Sequence, residues 1–270
     1  MHPTLFSIGH VHAYGYGFMI AVGALLAVFV SEFRANRRGL NGDLVFKVAL
    51  WGLFAGLVGA KLTYIASNFP LLFTDPKYVL GTDGFTVYGG VVLGILVGAF
   101  LLRREKADIP VYMDLIIPQI ALVQGFGRIG CFLAGCCYGK PTTHVFGVTF
   151  PPEAIAPSGI SLIPTQLLSS AGDFLIFLVL VLISDFGTDH LRLSPKKDPD
   201  RRSFFRPLSI SGLYLVLYGV GRFVIEFLRM DPRRVLAGLT SNQYVSLLFL
   251  AAGLFLILKR FRTVQEKIEA

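Results

Sequence analysis

Long apolar stretches alternate with short polar segments along the whole chain. A helix needs about 20 apolar residues to cross the hydrocarbon core of a bilayer. Seven stretches have this character, at residues 14–34, 45–67, 86–102, 112–135, 166–184, 208–229 and 243–259. Pro118 and five glycines from Gly125 to Gly139 make the fourth stretch the least regular, because both residue types weaken helices. The pattern predicts an all-α polytopic integral membrane protein with seven transmembrane helices, in a single transmembrane domain over residues 1–270.

Composition and charge agree with a membrane protein. The chain is 54% hydrophobic and 16% charged, whereas soluble domains are about 45–50% apolar and about 25% charged. The net charge of +8 lies in short basic blocks between apolar runs. Such blocks indicate orientation signals and lipid headgroup contacts rather than nucleic-acid binding. The first apolar run lacks a basic segment before it and a small-residue cleavage site after it, so we expect it to remain as a helix.

Lysine and arginine are distributed unevenly between the loops. Of the 25 basic residues, 17 flank the loops after the first, third, fifth and seventh apolar stretches, whereas five lie in the other loops. The excess of basic residues marks the cytoplasmic side. We therefore expect the N-terminus outside and the C-terminus in the cytoplasm. Glycines at every fourth residue, Gly52 with Gly56 and Gly90 with Gly94 and Gly98, favour close helix packing.

Several charged residues fall inside predicted spans, where each costs at least about 2.5–3.5 kcal/mol at the helix centre. Tyr218, Arg222 and Glu226 follow one another at intervals of four, so they share one face of the sixth span. Arg128 lies near the outer end of the fourth span. Two interpretations stay open: an Arg222–Glu226 ion pair that ties helices together with Arg128 snorkelling to the interface, or capture of an anion, which the arginine fork binds bidentately. For Lys61, snorkelling and function are equally good explanations.

Polar residues also begin several spans at the predicted outer level. They are Tyr16, Tyr88, Gln166, Asn242 and Gln243. An interfacial aromatic belt explains the tyrosines equally well, and ordinary helix-end polarity explains the amides. The joint pattern involves six of the seven predicted helices. It indicates a cavity toward the outer leaflet that contains at least two arginines and fits an anionic phospholipid headgroup.

Three cysteines, Cys131, Cys136 and Cys137, lie within seven residues. An odd number gives no disulfide framework. A metal site formed with His144 would not match the ligand spacing of known structural sites, so we expect no metal. Small packing thiols are the main interpretation. A reactive thiol at Cys131 or Cys136 is the alternative, because the neighbouring Arg128 lowers thiol pKa.

Short motifs occur at intervals along nearly the whole chain. They are Leu5–Gly9, Tyr16–Gly17, Asn68–Pro70, Asp75–Pro76, Tyr88–Gly90, Gly127–Gly130, Tyr138–Gly139, Pro164–Gln166, Gly212–Tyr214, Tyr218–Gly219, Arg222 and Glu226–Phe227. No single motif is specific. Together, and with the seven-span layout, they make the chain resemble the bacterial phosphatidylglycerol–prolipoprotein diacylglyceryl transferase family.

The resemblance implies a multi-pass enzyme of the bacterial cytoplasmic (inner) membrane, with its active site toward the outer leaflet. Its partners would be phosphatidylglycerol, the preprolipoprotein signal peptide with its lipobox cysteine, and membrane lipids. The diacylglyceryl group would pass to the cysteine thiol and glycerol phosphate would leave, with no cofactor. Arg128 and Arg222 would stabilise the departing phosphate, and Glu226 would orient Arg222. The residues implied to line the substrate site are Tyr16, Tyr218, Gly89, Gly90, Gly139 and Gln166.

Four polar positions of the family pattern differ in this chain. Tyr88 stands where a His-Gly-Gly motif supplies the candidate catalytic base. Cys131 replaces an asparagine, Cys136 replaces an acidic residue, and Ile163 replaces a histidine. A tyrosine, with an unperturbed pKa of about 10, is a poor base at neutral pH. Three histidines on the predicted outer side are alternative candidates for the catalytic base: His10, His12 and His144.

Two other functions stay open at this point. The changed motifs favour a divergent relative that uses a phospholipid donor with a different acceptor. A non-catalytic lipid-binding membrane protein is the second. The charged residues Arg128, Arg222 and Glu226 argue against it, because charges inside a membrane are costly to keep without a function.

Overall fold

The computed structural model describes residues 4–8, 11–81, 84–189, 208–230, 234–236 and 238–269. Contacts divide the chain into two compact units, Met1–Ala27 together with Met113–Ala270, and Val28–Tyr112. Each unit is built mainly from long apolar helices. The expectation of a single transmembrane domain over residues 1–270 stays a prediction.

Among the described helices, seven long ones follow the predicted apolar stretches, and two short ones lie between the second and third of these. Within the described residues they are α1 (Gly15–Arg37), α2 (Gly42–Ser67), α3 (Leu71–Thr74), α4 (Pro76–Leu80), α5 (Val87–Arg104), α6 (Ile109–Ala134), α7 (Thr165–Asp189), α8 (Ser209–Glu226) and α9 (Ser241–Glu269). Six of them, namely α1, α2, α6, α7, α8 and α9, are long and apolar enough to cross a membrane. The protein is therefore mostly helical with six candidate spans. The remaining predicted span, α5, is an 18-residue helix.

Helices α2 and α5 pack against each other through glycines. A Cβ atom placed on Gly90 would lie 2.7 Å from the Gly56 carbonyl oxygen, and one on Gly94 would lie 3.0 Å from the Gly52 carbonyl oxygen. Only glycine permits such a close approach of two backbones. The close packing predicted from the four-residue glycine spacing is confirmed for this helix pair.

Helix α6 runs without interruption through Pro118, although that residue made its regularity doubtful. Gly125 lets α7 approach, since a Cβ atom there would lie 2.6 Å from the Phe174 ring. The Ser170 hydroxyl donates a hydrogen bond of 2.9 Å to the Gly125 carbonyl oxygen. Gly125 thus serves as a contact point between α6 and α7.

Helices α8 and α9 form the second glycine-based pair. Gly212 and Gly253 face each other across it, and a Cβ atom on Gly219 would lie 2.9 Å from the Ser246 carbonyl oxygen. The start of α8 is held by α6, because the Ser211 backbone nitrogen and hydroxyl donate hydrogen bonds of 2.8 and 2.5 Å to Asp114. These contacts fix the face of α8 that carries the polar stripe.

Short antiparallel hairpins complete the fold. They are β1 (Thr4–Ile8) with β2 (Val11–Tyr14), β3 (Val148–Thr149) with β4 (Ser161–Leu162), and β5 (Arg234–Leu236) with β6 (Leu239–Thr240). The loop between α6 and α7 packs around the buried residues Phe150, Ala156 and Leu162. Gly139 links this loop to the end of α8. Its backbone nitrogen donates a hydrogen bond of 2.9 Å to the Ile163 carbonyl oxygen, and its backbone pairs with that of Arg229 in an antiparallel β-bridge.

Candidate functional site

The stripe of polar residues on α8 forms a buried ion pair. Nη2 of Arg222 lies 3.0 Å from Oε2 of Glu226, one helical turn away. Glu226 is only 3% exposed. Its other oxygen, Oε1, accepts hydrogen bonds from the Thr240 hydroxyl at 3.1 Å and the Asn242 amide at 3.0 Å. The carboxylate is therefore anchored through Oε1, and Oε2 faces the Arg222 guanidinium as its ion-pair partner.

A cavity of about 90 Å³ lies beside this ion pair, between α6, α7 and α8. Arg128, Ser169, Asp173, Tyr218 and Arg222 supply its polar lining. In liquid water this volume would hold about three molecules. The cavity is thus far smaller than a phospholipid and is closer in size to a single phosphate group. Arg128 and Arg222, predicted from separate motifs, are brought together here.

Asp173 on α7 is a site residue that the sequence reasoning missed. It is 6% exposed and lies within electrostatic range of both Arg128 and Arg222. The available signal was a carboxyl group in the middle of an apolar span, two turns after Gln166, since such groups usually mark functional sites. Asp173 offsets part of the positive charge that the two guanidinium groups place in the cavity.

Arg229, just beyond α8, is a third arginine near the site. Its Nε atom is buried without a hydrogen-bond partner among the described residues. It lies within electrostatic range of Arg222 and of Cys137. From the sequence it looked like one of the few basic residues of an outer loop. Three arginines against two carboxylates, Asp173 and Glu226, leave a formal charge of +1, which one phosphodiester group would balance.

The Tyr218 ring at the cavity lining is held by two neighbouring aromatic rings. Tyr218 stacks on Tyr214 with ring centroids 5.7 Å apart, and it packs against Phe249 of α9 at 6.0 Å. The Tyr214 hydroxyl donates a hydrogen bond of 2.9 Å to Gln124. Packing on both faces fixes the Tyr218 ring, so its hydroxyl has a defined position at the cavity lining.

Tyr16 opens α1 and packs on α6 at Gly130. A Cβ atom on Gly130 would lie 3.1 Å from the Tyr16 backbone and ring, so the glycine is what allows this contact. The Tyr16 side chain is 43% exposed and lies within electrostatic range of the three cysteines and Arg128. Of the tyrosines predicted at the outer level, Tyr16 is thus beside the arginine-containing region.

The three cysteines converge, which their spacing did not predict. The Sγ atoms of Cys131, Cys136 and Cys137 all lie within 4.8 Å of one another. The chain turns back after α6 because Gly135 adopts a φ of +73°, and Cys137 itself has a φ of +62°. Hydrogen bonds from the Cys131 and Cys136 thiols, with help from Arg229 and Arg128, hold the pKa of Cys137 below its usual range. Hydrogen bonding to Cys131 raises the pKa of Cys136.

Residues at the start of α7 form hydrogen bonds with the loop that carries Cys136 and Cys137. Gln166 is 1% exposed, and its Nε2 donates a hydrogen bond of 2.7 Å to the Cys136 carbonyl oxygen. The Thr165 hydroxyl donates one of 2.8 Å to the Cys137 carbonyl oxygen. Gln166 Oε1 is buried without a partner among the described residues. The observed role of Gln166 is to position this loop, and its predicted role in substrate binding stays a prediction.

Tyr88, Gly89 and Gly90 belong to the other unit, Val28–Tyr112. The Tyr88 side chain is 71% exposed and lines an open groove on α2 and α5 together with Thr63 and Leu93. Gly89 and Gly90 face the α2 backbone: a Cβ atom on Gly89 would lie 2.6 Å from the Gly59 carbonyl oxygen. Their contacts are those of helix packing, and substrate binding by these three residues stays a prediction.

The other candidates have simpler surroundings. Lys61 donates a hydrogen bond of 2.6 Å to the Gly81 carbonyl oxygen and lies 5.3 Å from the Phe85 ring centroid. His144 is exposed and stacks on Phe146 at 5.3 Å. It is not part of the cysteine group. His10 and the side chain of His12 lie outside the described residues.

The apolar helices and the arginine-lined cavity together define a multi-pass membrane protein with a cavity of net positive formal charge. Known proteins narrow this class. The chain matches the family described as prolipoprotein diacylglyceryl transferase over residues 3–259. The chain therefore belongs to the prolipoprotein diacylglyceryl transferase family, and the resemblance inferred from its motifs is confirmed.

Individual relatives agree with the family match. A phosphatidylglycerol–prolipoprotein diacylglyceryl transferase of Clostridium tetani is 40% identical over 265 residues, which cover 97% of this chain and 99% of the relative. A second one, from Clostridium perfringens, is 34% identical over 258 residues, 95% of this chain and 94% of the relative. The similarity extends over the full length of these relatives, so all the helices that carry the site are included.

Proposed function

We propose that this protein transfers the diacylglyceryl group of phosphatidylglycerol to the lipobox cysteine thiol in the signal peptide of a preprolipoprotein. The family match over residues 3–259 and the printed names of the relatives support the donor, the acceptor and the enzyme class. The protein is a diacylglyceryl transferase that uses phosphatidylglycerol. The reaction forms a thioether and releases glycerol phosphate.

The observation that carries the residue roles is the pair of guanidinium groups at one cavity. During transfer, the bond between the glyceryl carbon and the phosphate oxygen breaks, and that oxygen leaves with the electron pair. Arg128 and Arg222 stabilise the negative charge that develops, which is worth most in a site sheltered from water. Glu226 keeps Arg222 oriented through the 3.0 Å ion pair. Tyr218 and Tyr16 contact the glycerol part of the headgroup.

The membrane arrangement belongs to the same proposal. Seven spans result when α5 crosses the bilayer with the six longer candidates, because 18 residues at 1.5 Å each cover about 27 Å. The basic loops then lie in the cytoplasm, with the N-terminus outside. In this orientation the cavity opens toward the outer leaflet of the bacterial inner membrane. Membrane lipid reaches it laterally and the signal peptide approaches from the same leaflet.

Reconstitution separates this function from its two alternatives. Purified protein is supplied with phosphatidylglycerol and a lipobox peptide, and the thioether and glycerol phosphate are measured by mass spectrometry. A peptide with serine in place of the lipobox cysteine serves as the acceptor control. We expect both products with the cysteine peptide and neither with the serine peptide. Glycerol phosphate without modified peptide would indicate a different acceptor, and lipid binding without either product would indicate a non-catalytic protein.

A further inference from the structure

The only three cysteines of the chain meet at the end of α6. Their Sγ atoms lie within 4.8 Å of one another. In a tetrahedral zinc site the sulfur atoms are about 3.8 Å apart, because each Zn–S bond is about 2.3 Å long. Small rotations of the side chains would therefore bring all three sulfur atoms into contact with one ion.

The loop that carries these thiols is held in an unusual conformation. Cys137 has a φ of +62°, which is uncommon for a residue other than glycine. Buried Gln166 and Thr165 bind the carbonyl oxygens of Cys136 and Cys137 at 2.7 and 2.8 Å. Strained backbone persists where its surroundings hold it, and it is concentrated at ligand sites. Such outer hydrogen bonds are also how proteins orient metal ligands.

The surrounding charges suit an anionic metal–thiolate centre. Three thiolates and one Zn(II) carry a net charge of −1. Arg229 and Arg128 both lie within electrostatic range of Cys137. Arg229 has a buried Nε atom without a hydrogen-bond partner among the described residues. Positive charge next to the cluster would stabilise it in its metal-bound form.

We propose that Cys131, Cys136 and Cys137 bind a Zn(II) ion whose fourth position takes the acceptor cysteine thiolate. This inference rests on the proposed function, since it names the group that activates the acceptor. Thiolate ligands select zinc and other soft ions. Three protein ligands with one open position are the arrangement of catalytic zinc, whereas structural sites have four. His144, the fourth ligand considered from the sequence, is exposed and is not part of the group.

Zinc would promote the deprotonation of the acceptor thiol. A thiol that coordinates zinc loses its proton outright, and that proton passes to water. The bound sulfur then uses an electron pair to form the C–S bond with the glyceryl carbon. The C–O bond to the phosphate breaks at the same carbon, and its electron pair leaves with glycerol phosphate. The zinc keeps its oxidation state, so the step needs no oxidant or reductant.

Metal content is the first measurement. The full-length protein is purified in detergent under reducing conditions with zinc present, and free metal is removed before elemental analysis. We expect about one zinc per chain, and at least fivefold less in Cys131→Ser, Cys136→Ser and Cys137→Ser. His144→Ala, which changes a metal-binding residue type outside the cluster, should keep its zinc. A wild-type protein without zinc, or serine variants that retain it, would overturn the proposal.

Thiol protection in the wild-type protein keeps the test independent of how the variants fold. Iodoacetamide should alkylate the three cysteines slowly in the zinc-loaded protein and at least tenfold faster after chelation, as counted by mass spectrometry. Equal alkylation before and after chelation would contradict a zinc–thiolate site. Since the chain has three cysteines in all, every thiol counted belongs to the cluster.

The open position is tested with cobalt. Cobalt(II) replaces the zinc, and the absorption bands of the tetrahedral ion report its ligands. Addition of the lipobox peptide should shift these bands, whereas the serine peptide should not. Identical spectra with both peptides would overturn the claim that the acceptor binds the metal, even if zinc itself is present.

Transfer from phosphatidylglycerol distinguishes this inference from the proposed function. We expect at least a hundredfold loss of thioether formation after zinc removal, with recovery when zinc is restored. Undiminished transfer by the zinc-free protein would overturn the zinc inference and leave the function standing. Zinc and peptide binding without transfer in any state would leave the metal site standing and remove the proposed function.

Discussion

The helix pairs α2–α5 and α8–α9 are both built on facing glycines, and among the described residues α8–α9 also carries the buried Arg222–Glu226 ion pair. Between α2 and α5 the closest contacts join backbone to backbone at Gly56 and Gly90. Glu226 at the end of α8 accepts hydrogen bonds from Thr240, the last residue of β6, and from Asn242 at the start of α9. Facing glycines thus produce a simple helix contact between α2 and α5, whereas between α8 and α9 they accompany a buried carboxylate.

This difference separates two uses of small residues in a membrane protein. Glycines bring helices close enough for van der Waals contact, and this is sufficient to explain α2–α5. Close approach of α8 and α9 also shelters an ion pair from water, which strengthens its electrostatic effect on a neighbouring substrate. Substitutions that act on charge should therefore affect catalysis at α8, whereas substitutions that act on volume should affect stability at α5.

The largest effect is expected for Arg222→Ala. Loss of one group that stabilises developing negative charge typically costs about 10²–10³ in rate. We expect turnover to fall by at least a hundredfold while the protein still inserts into the membrane, as measured by glycerol phosphate release. Arg222→Lys should recover part of the rate, and Arg104→Ala at the end of α5 is the control for loss of a basic residue. Near-normal turnover of Arg222→Ala would contradict the phosphate-binding role.

Glu226→Gln should have the next largest effect. The glutamine keeps the size of the side chain and its hydrogen bonds to α9, but it removes the charge that orients Arg222. Because a misoriented group can cost about 10²-fold, we expect a 10- to 100-fold loss of kcat with membrane insertion unchanged. Glu226→Asp keeps the negative charge, but its shorter side chain does not reach Arg222. We therefore expect this variant to remain slower than the wild type. A rate equal to the wild type would show that Arg222 is oriented by other contacts.

Asp173→Asn should change product affinity more than rate. Removing a negative charge beside two guanidinium groups strengthens their attraction for an anion. We expect glycerol phosphate to inhibit the variant at a three- to tenfold lower concentration. Asp185→Asn, more than three turns further along α7, is the matched control and should leave inhibition unchanged. Weaker inhibition of Asp173→Asn would indicate that this carboxyl contacts the headgroup directly.

Gly89→Ala tests whether close packing between α2 and α5 contributes mainly to stability. The added methyl group would collide with the Thr63 hydroxyl and the Gly59 carbonyl oxygen, and overpacking costs about 1–3 kcal/mol. We expect lower thermal stability in detergent with little change in KM. Gly98→Ala on the same helix has room, with the nearest Val48 atom at 3.5 Å, and should remain stable. A raised KM with unchanged stability would instead support substrate binding by Gly89.

Tyr88→Phe should have the smallest effect. If the Tyr88 hydroxyl acts as the catalytic base, its removal should lower the transfer rate at least tenfold. If zinc activates the acceptor thiol, the loss should stay below threefold in a direct rate comparison at neutral pH. A larger loss would return the role of base to Tyr88. The conservative change removes one oxygen from an exposed side chain, so its effect on folding should be small.

Much of the fold followed from hydrophobic length alone. Helix α2 begins three residues before the predicted span 45–67 and ends with it, and α6 begins three residues before 112 and ends one before 135. Such agreement is expected because apolar runs near 20 residues have few alternatives in a membrane. The doubt about α6 was unnecessary, because the helix runs through Pro118 without a break.

The site was predicted in part, and the missing part has a physical reason. The Arg222–Glu226 pair followed from their four-residue spacing on one helix. Asp173 and Arg229 were missed because their approach to the cavity depends on how α6, α7 and α8 pack. The cysteine cluster was missed because residues 131 and 136–137 meet only through the turn at Gly135. Spacing predicts contacts within a helix well, and contacts made by loops poorly.

The small volume of the arginine-lined cavity has a consequence for the bacterium. At about 90 Å³ it is far too small for the fatty-acyl tails of the donor, so the proposed function leaves those tails in the surrounding bilayer during the reaction. A cell that shortens, branches or desaturates its fatty acids when the temperature changes therefore presents the enzyme with the same reacting group. We therefore expect lipoprotein maturation to continue through such membrane remodelling without any change in this enzyme.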